Sequence, residues 1–412
     1  MSRFGRQRSI DTNEGRRHRP DYLLVVIAAA LMVVGLIVIF AISPGLSEQQ
    51  GVGQGFFVSK QLIAIGVGAL TFLVTSRVPR SVWKKLTKPL IFGAILVTII
   101  ALILPVTPDY PAHRWIRLGG FSLQAVEVLK FAALVGFSYF FAHRMKQGRI
   151  GSTSETFKPL LILLGVIGVV VAVLQSDLGS AAVLMAMIGG MAFVAGLPMT
   201  RVALVVAVVA IAGLLAISAS DYRRERFVSY LNPQSDCQDE GYQACQALIA
   251  IGSGGLTGKG FGGGVAGYGY VPESANDSIF AVYSEMFGFV GVAMLLGLFV
   301  ALFSRLKHIM ERAPDEQSRL LVAGVLAWLG FQSIINIGAM AGLLPLKGIT
   351  LPLVSYGGTS ILFVSAALGM VFQISRYTSF TVSETPERGA HAYSAYGRRQ
   401  RGAHNAPVSR RA

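Results

Sequence analysis

Apolar segments separated by short polar ones run along almost the whole chain of 412 residues. Stretches of about 18 to 25 mostly apolar residues recur, the length that a helix needs to cross roughly 30 Å of hydrocarbon. The pattern predicts an all-α polytopic membrane protein with about ten membrane-spanning helices. These predicted spans cover residues 22–43, 58–76, 88–107, 121–142, 158–175, 178–196, 200–218, 278–304, 319–342 and 352–375.

Three polar segments lie outside the predicted spans. Residues 1–21 and 376–412 are rich in Arg, Ser and Gly and nearly free of apolar side chains, a composition that predicts disordered tails. Between the seventh and eighth spans, residues 219–277 are predicted to form a large loop. No internal repeat is evident, which disfavours the inverted-repeat transporter folds. The membrane domain is therefore predicted to cover residues 22–375.

The distribution of charge predicts the orientation. The chain is 53% hydrophobic and only 14% charged, and its net charge of +15 comes from short basic clusters between apolar segments. Such clusters do not form a stripe that could follow a nucleic acid, so we expect no nucleic-acid partner. Segments on the side of the two tails carry 27 Lys or Arg, against 8 on the opposite side. Both tails are therefore predicted to be cytoplasmic, with the loop outside the plasma membrane and the spans among its lipids.

The two cysteines, Cys237 and Cys245, both lie in the predicted extracytoplasmic loop. Oxidising conditions there allow disulfides, so a local bridge is one interpretation and two free thiols are the other.

Polar residues near the spans are informative because burying one in a bilayer costs a few kcal/mol unless it is paired or faces a cavity. The first cluster of them lies in residues 113–130. Glu127 and Lys130 are three positions apart on a predicted helix, where they either neutralise each other or act on a ligand. Arg114 and Arg117 precede that helix and could bind a phosphate or lipid headgroups.

Two further clusters lie at breaks between apolar segments. Asp177, in "QSDLGS", could cap the next helix or have a functional role. Lys347 lies where two prolines and a glycine pair interrupt the apolar pattern of residues 336–360. Broken backbone at membrane depth is tolerated where it lines a cavity, so Lys347 is a candidate for contact with an anion; a snorkelling interfacial lysine is the alternative.

The remaining cluster is the glycine-rich segment 241–277 and the start of the eighth span. Its "GSGGLTGKG" is not a nucleotide-binding loop, because Ser253 replaces a required glycine and Gly260 replaces the Ser or Thr that binds magnesium. Three carboxylates follow, Glu273, Asp277 and Glu285. Glu285 lies roughly 12 Å deeper than Asp277 along a helix and is expected to be paired within the bundle.

Two classes of function fit these clusters. One is an enzyme that acts on a lipid-linked anionic substrate outside the membrane, and the other is a transporter that flips such a lipid. We recognise no metal-ligand motif and no cofactor motif, although assistance by a divalent cation such as Mg²⁺ or Mn²⁺ is left open.

The same clusters resemble the SEDS family of bacterial cell-wall proteins, named for shape, elongation, division and sporulation. The resemblance covers about residues 20–378. It is carried by "RWI" at 114–116 followed by "LG", and by Gln124, Glu127 and Lys130 in the family's spacing. The other motifs are "QSDLGSA", "YRRERFVSYLNP", "GYQACQALIAIGSGGLTGKGFG", "PESANDSIFAVYSEMFGFVG" and "LPLKGITLPLVSYGGTS".

The resemblance implies a glycosyltransferase that polymerises lipid II into peptidoglycan strands. Asp277 would be the catalytic general base on the acceptor sugar's 4-hydroxyl, with inversion at the donor and undecaprenyl pyrophosphate as leaving group. It also implies a class B penicillin-binding protein and other divisome proteins as partners. Substrate-binding residues carried over by position, or suggested by the clusters, are Arg114, Trp115, Gln124, Glu127, Lys130, Lys259, Glu273, Lys347 and Ser355.

Some positions depart from the family pattern. Ala125 and Ser176 replace prolines, Ala275 and Asn276 replace a pair that includes a histidine, and Ser284 stands where a second acid is common. None of these changes removes Asp277. The polar tails and "GYVPESAND" favour the division branch over the elongation branch. A lipid II flippase and a non-catalytic divisome scaffold are the alternative functions.

Overall fold

A computed structural model describes residues 16–17, 19–105, 113–118, 121–198, 200–201, 203–204, 207–208, 237–238 and 241–378. Its α-helices are α1 Tyr22–Gln50, α2 Phe56–Thr75, α3 Arg80–Ile103, α4 Ala125–Lys146, α5 Lys158–Gly168, α6 Leu178–Val194, α7 Tyr242–Ser253, α8 Ile279–Glu311, α9 Glu316–Met340 and α10 Gly358–Ile374. Short π-helical turns, Thr153–Phe157 and Val169–Leu174, flank α5, and a 3₁₀ turn covers Ala266–Tyr268. The strands are β1 Arg16–Arg17, β2 Trp115–Leu118, β3 Phe121–Gln124 and β4 Tyr377–Thr378.

The helices confirm a multi-pass, all-α membrane protein. Within the described ranges, seven helical segments are long and apolar enough to cross a bilayer: α1, α2, α3, α4, the segment Thr153–Leu174 around α5, α8 and α9. The shorter apolar helices α6 and α10 lie on the predicted sixth and tenth spans. The predicted seventh span, 200–218, and the first part of the predicted loop lie largely outside the described residues.

Several predicted span boundaries differ from the ends of the helices, and three of the differences are at span starts with a clear cause. The fourth span begins at Ala125 instead of 121, because Phe121–Gln124 pairs with Trp115–Leu118 in an antiparallel hairpin. The tenth helix begins at Gly358 instead of 352, since the backbone before it bonds to other loops. The third helix begins at Arg80, eight residues before its predicted start, because basic side chains do not stop a helix from extending past the membrane surface.

Burial separates an inner from an outer set of helices. About 72% of the apolar window of α4 is buried, and α4 packs against α3, α6, α9 and α10. Only 22% of the corresponding window is buried in α2, in α3 and in the segment around α5. Their exposed surface is apolar, as helices that face lipid require. The core of the bundle is therefore built around α4 and α9.

The start of the first helix, α1, lies next to the end of the last helix, α10. Asp21 accepts a hydrogen bond from Leu24 N as the N-cap of α1, while its own N–H donates to Ser375 Oγ at 3.0 Å, just after α10. β1 and β4 pair antiparallel beside them. The prediction of disordered tails therefore does not hold for these four strand residues; most of both tails lies outside the described residues.

Candidate active site

Asp277 lies in the turn that leads into α8, and a buried amide from α9 holds that turn. Asn336 donates from Nδ2 both to Asp277 O and to Ile349 O, each at 2.7 Å. Asn336 is 1% exposed, so water does not compete for these bonds. The amide thereby fixes the backbone of Asp277 beside the segment that contains Lys347.

That segment is bonded directly to the turn as well. Ser355 Oγ donates to Asn276 O at 2.6 Å and accepts from Leu351 N at 2.7 Å. Tyr356 N donates to Ala275 O at 2.9 Å. The irregular backbone before α10 thus obtains its hydrogen bonds from the "PESAND" turn, which explains why the helix starts late. In this structure Ser355, predicted to bind substrate, connects the two segments.

Arg114 is anchored on the break between the fifth and sixth spans. Its Nε donates to Gln175 O at 3.1 Å and its Nη2 donates to Ser176 O at 2.9 Å. Ser176 has a φ of 52°, a left-handed conformation that turns its carbonyl away from helical geometry. Asp177 caps α6 by accepting from Ser180 N at 2.9 Å, so the capping interpretation of this residue is confirmed.

These separate clusters converge at Gly348. A methyl group placed on Gly348 would lie 3.5 Å from Asp277 Oδ2 and 4.0 Å from Arg114 Nη1. One placed on Gly179 would lie 3.0 Å from Lys347 Cβ, so the "QSDLGS" turn packs against the same segment. Gly348 is exposed and Asp277 is half-buried. A carboxylate and a fixed guanidinium therefore border one open position, with a lysine next to it in the chain.

The pair Glu127 and Lys130 lies inside the bundle. Lys130 Nζ is 2.7 Å from Glu127 Oε1, and these side chains are 1% and 3% exposed. Lys130 also donates to Gln332 Oε1 at 3.0 Å, while Gln332 Nε2 donates to Thr350 O at 2.9 Å. Trp328 donates to the same Gln332 oxygen at 2.8 Å. The pair neutralises itself and connects through Gln332 to the segment around Gly348, which makes it a support for the site.

Lys259 and Glu285 form a second, separate ion pair. Lys259 Nζ lies 2.9 Å from Glu285 Oε1, and the Glu285 side chain is 2% exposed. Glu285 also accepts from Ala266 N at 2.8 Å and from Val265 N at 3.2 Å. As expected, Glu285 is paired within the bundle. Lys259, predicted to bind substrate, is its partner in this structure.

The glycine-rich segment donates hydrogen bonds to α8 at a point where the helix is interrupted. Gly288 has φ 62° and ψ −163°, which interrupts the helix. The freed carbonyls of Glu285 and Met286 accept from Lys259 N and Gly260 N at 2.9 and 3.0 Å. A side chain on Gly288 would place its Cβ 2.3 Å from Gly258 N. Glycine is required here for close backbone approach, and the bonds replace those that the break removes.

The remaining predicted residues lie around these elements. Glu273 is exposed, has a φ of 51° and accepts from the side chain of Asn276, so it shapes the turn before Asp277. Trp115 and Gln124 are opposite each other in the β2–β3 hairpin that follows Arg114.

Cys237 and Cys245 are joined by a disulfide with Cα atoms 5.6 Å apart, at the start of α7. In the described part of the chain, no three His, Cys, Asp or Glu side chains are grouped as metal ligands.

Three residues of this arrangement were not singled out from the sequence. Asn336 and Gln332 are amides inside an apolar span, and the cost of burying them was the signal that could have identified them. Gly348 had no such signal, since its role depends on what surrounds it.

Fold and site together define a polytopic membrane protein with a carboxylate and cations clustered at one end of its helix bundle. The family model described as "Cell cycle protein", of FtsW, RodA and SpoVE, matches residues 21–380. The chain belongs to this family, as the sequence motifs indicated.

Relatives and solved structures agree with this assignment. A "Probable peptidoglycan glycosyltransferase FtsW" of Saccharophagus degradans is 36% identical over 87% of this chain and 92% of its own. "Stage V sporulation protein E" of Bacillus subtilis is 33% identical over 89% of this chain and 99% of its own.

Among solved structures, one chain from "Structural coordination of polymerization and crosslinking by a peptidoglycan synthase complex" superposes with a TM-score of 0.71 at 28% identity, over 87% of this chain and 98% of that one. The rod shape determining protein RodA of Thermus thermophilus gives 0.63 at 28% identity, over 87% of this chain and 98% of its own.

Proposed function

We propose that this protein is a peptidoglycan glycosyltransferase that polymerises lipid II at the extracytoplasmic face of the plasma membrane, with both termini in the cytoplasm. The observation that carries the proposal is the convergence of Asp277 and Arg114 on Gly348. The names of relatives that are called peptidoglycan glycosyltransferases support it.

The chemistry of lipid II polymerisation suits this arrangement. Asp277 takes the proton of the acceptor sugar's 4-hydroxyl, whose oxygen then attacks the anomeric carbon of the lipid-linked donor from the face opposite the leaving group. The bond from that carbon to undecaprenyl pyrophosphate breaks with inversion. Negative charge develops on the leaving pyrophosphate, and a cation held in place beforehand stabilises it at little reorganisation cost.

Arg114 fits the role of that cation. Two of its nitrogens are committed to the carbonyls of Gln175 and Ser176, so the guanidinium is fixed before substrate arrives. Its Nη1 is the nitrogen nearest to the open position at Gly348. Lys347 stands next to that position in the chain and supplies further positive charge for a pyrophosphate.

The partner we propose is a class B penicillin-binding protein, which crosslinks the strands that this protein makes, within the division machinery. A similar chain in a solved peptidoglycan synthase complex, whose title couples polymerization with crosslinking, supports this pairing. Relatives that are 36% and 35% identical and are called FtsW support the division branch.

The test is polymerisation of purified lipid II by the full chain, together with its cognate transpeptidase if required, in wild-type and Asp277→Asn forms. Asparagine keeps the shape of the side chain but cannot accept the proton. Loss of a general base lowers such rates on the order of 10²–10⁴-fold. Glu311→Gln, an exposed carboxylate at the other end of α8, is the control and should keep the wild-type rate.

Glycan strands made at an undiminished rate by Asp277→Asn would refute the base assignment. Absence of strands from the wild type, combined with normal division in cells that carry only Asp277→Asn, would favour the scaffold. Movement of labelled lipid II across proteoliposomes, unaffected by the substitution, would favour the flippase.

A further inference from the structure

A cavity of about 280 Å³, lined by both charged and apolar side chains, lies at the end of the bundle away from Asp277. It is lined by the start of α3, the end of α4, the start of α9 and the end of α10. The first residue of α4, Ala125, donates to Arg114 O, and the last, Lys146, lines this cavity. The 22 residues of α4 therefore place the two sites about 33 Å apart, on opposite faces of a bilayer.

The cavity has an excess of positive charge. Arg80 is paired with Asp315, and Glu316 is paired with Arg319 at 3.2 Å, so both acids that line it are neutralised by guanidinium groups. Lys84 and Lys146 also line it, and among the described residues neither has a carboxylate within 4.0 Å. Both lysines are exposed, and Lys84 Nζ lies 5.6 Å from the centroid of the Tyr139 ring, but no carboxylate of the described residues balances their charge, which would attract an anionic occupant.

Trp83, which lines the cavity, has a buried indole N–H without an acceptor among the described residues. The residue is 8% exposed. A buried N–H without a partner costs free energy, and an oxygen of a bound molecule would recover it once a small movement of the ring exposes Nε1 to the cavity. The wall thus combines two ammonium groups with an indole donor, a set that suits the oxygens of a phosphate ester.

The cavity lies beside a surface that faces lipid tails. α3 begins at the cavity, and further along it Leu86 and Phe92 are 37% and 69% exposed. A molecule with its phosphate in the cavity could lay acyl chains on this face of α3. Tryptophan and lysine at the headgroup level are typical of contacts with anionic lipids.

We propose that this cavity binds the phosphate of an anionic glycerophospholipid, on the face that the basic residues predict to be cytoplasmic. Lys84 and Lys146 bind the charge, Trp83 donates to an ester or phosphate oxygen, and α3 carries the acyl chains. The inference does not depend on the proposed glycosyltransferase activity.

The experiment measures how many phosphatidylglycerol molecules the purified full chain retains in detergent, by native mass spectrometry, and how far that lipid raises its Tm. Phosphatidylcholine and inorganic phosphate are the comparison probes. The variant Lys84→Gln/Lys146→Gln should bind phosphatidylglycerol roughly 30-fold more weakly than wild type, because each lysine near an anionic surface contributes a factor of about five.

The control, Lys85→Gln/Lys307→Gln, removes the same charge from the same end of the bundle but from residues outside the cavity lining. It should retain the lipid within about twofold of wild type. Equal losses in both double variants would show general surface attraction and overturn the site, as would no loss in Lys84→Gln/Lys146→Gln. Trp83→Phe keeps every charge and should weaken retention by a smaller factor, so the site can be tested even if the double variant folds poorly.

The measurement with inorganic phosphate distinguishes a lipid headgroup from a soluble phosphate compound as the bound anion. Inorganic phosphate should give little of the lipid's stabilisation. If phosphate alone raises the Tm of wild type as much as the lipid does, and not that of Lys84→Gln/Lys146→Gln, the occupant is a soluble phosphate compound and the lipid assignment is wrong.

Discussion

Asp277 and Glu285 are carboxylates eight residues apart, one just before α8 and one two turns into it, and their surroundings differ completely. Glu285 is 2% exposed and receives donors from Lys259, Val265 and Ala266. Asp277 is half-buried and has an oxygen 3.5 Å from where a methyl group on exposed Gly348 would lie.

The difference shows what separates a structural from a chemical acid here. The oxygens of Glu285 are occupied by donors that hold the glycine-rich segment onto broken α8, so a substrate proton has no access to them. Asp277 has its backbone fixed by Asn336 while its carboxylate borders an open position. A base needs this combination of a fixed position and access to substrate.

The largest effect on stability is expected for Glu285→Ala. It leaves the buried N–H of Ala266, the N–H of exposed Val265 and the ammonium of Lys259 without their acceptor, which costs roughly 3 kcal/mol. Thermal unfolding of the purified protein in detergent should show a clearly lower Tm. Asp277→Asn, measured in parallel, should change the Tm far less, and equal losses in the two variants would contradict the distinction.

The open position beside Asp277 can be closed with Gly348→Val. A methyl at Gly348 makes only ordinary contacts, so the fold should tolerate the change, while the further valine carbons fill the space between carboxylate and guanidinium. We expect lipid II polymerisation to fall roughly 100-fold, since small misplacements of reacting groups have effects of this size.

The matched control for this closure is Gly53→Val, whose side chain would meet open space in the connection between α1 and α2. It should polymerise at the wild-type rate. Unchanged activity of Gly348→Val, with a normal elution profile, would mean that substrate does not occupy this position.

The smallest effect is expected for Lys259→Gln. The lysine side chain is 34% exposed, so its ion pair with Glu285 is partly screened, and glutamine can still donate to that carboxylate. The loss should be about 1 kcal/mol in unfolding free energy. The control Lys307→Gln, from an exposed pair with an N–O distance of 3.9 Å, should show no measurable change in unfolding free energy. If Lys259→Gln lost as much stability as Glu285→Ala, the Lys259 side chain itself would fix the loop.

Much of the fold followed from the sequence because hydropathy is a local property. The apolar spans and the four polar clusters were evident from neighbouring residues alone. Errors occurred where pairing outside the helix set the end of an element: Gln124 pairs with Trp115 in a hairpin, and the residues before Gly358 bond to the "PESAND" turn. Such partners leave no mark on local composition.

For the candidate site, the residue types were evident from the sequence but their grouping was not. Asp277, Arg114 and Lys347 were candidates from three different clusters, and the structure brings them together. Lys259, Glu127 and Lys130 were candidates too, and the structure pairs them elsewhere with Glu285 and with each other. Sequence alone cannot distinguish these cases, since a lysine beside an open position and one in a buried pair have the same local sequence signal.

The membrane class, the approximate spans, the family and the set of polar residues follow from the sequence, because burial in hydrocarbon limits what each short segment can contain. Which polar residues share a site depends on how the helices pack. Arg114 meets Gln175 across 61 positions, Asn336 meets Asp277 across 59, and Lys130 meets Gln332 across 202. Contacts over such separations are fixed by how helices pack and where their ends fall, which is why the Asp277 carboxylate borders exposed Gly348 while Glu285 is buried among its donors.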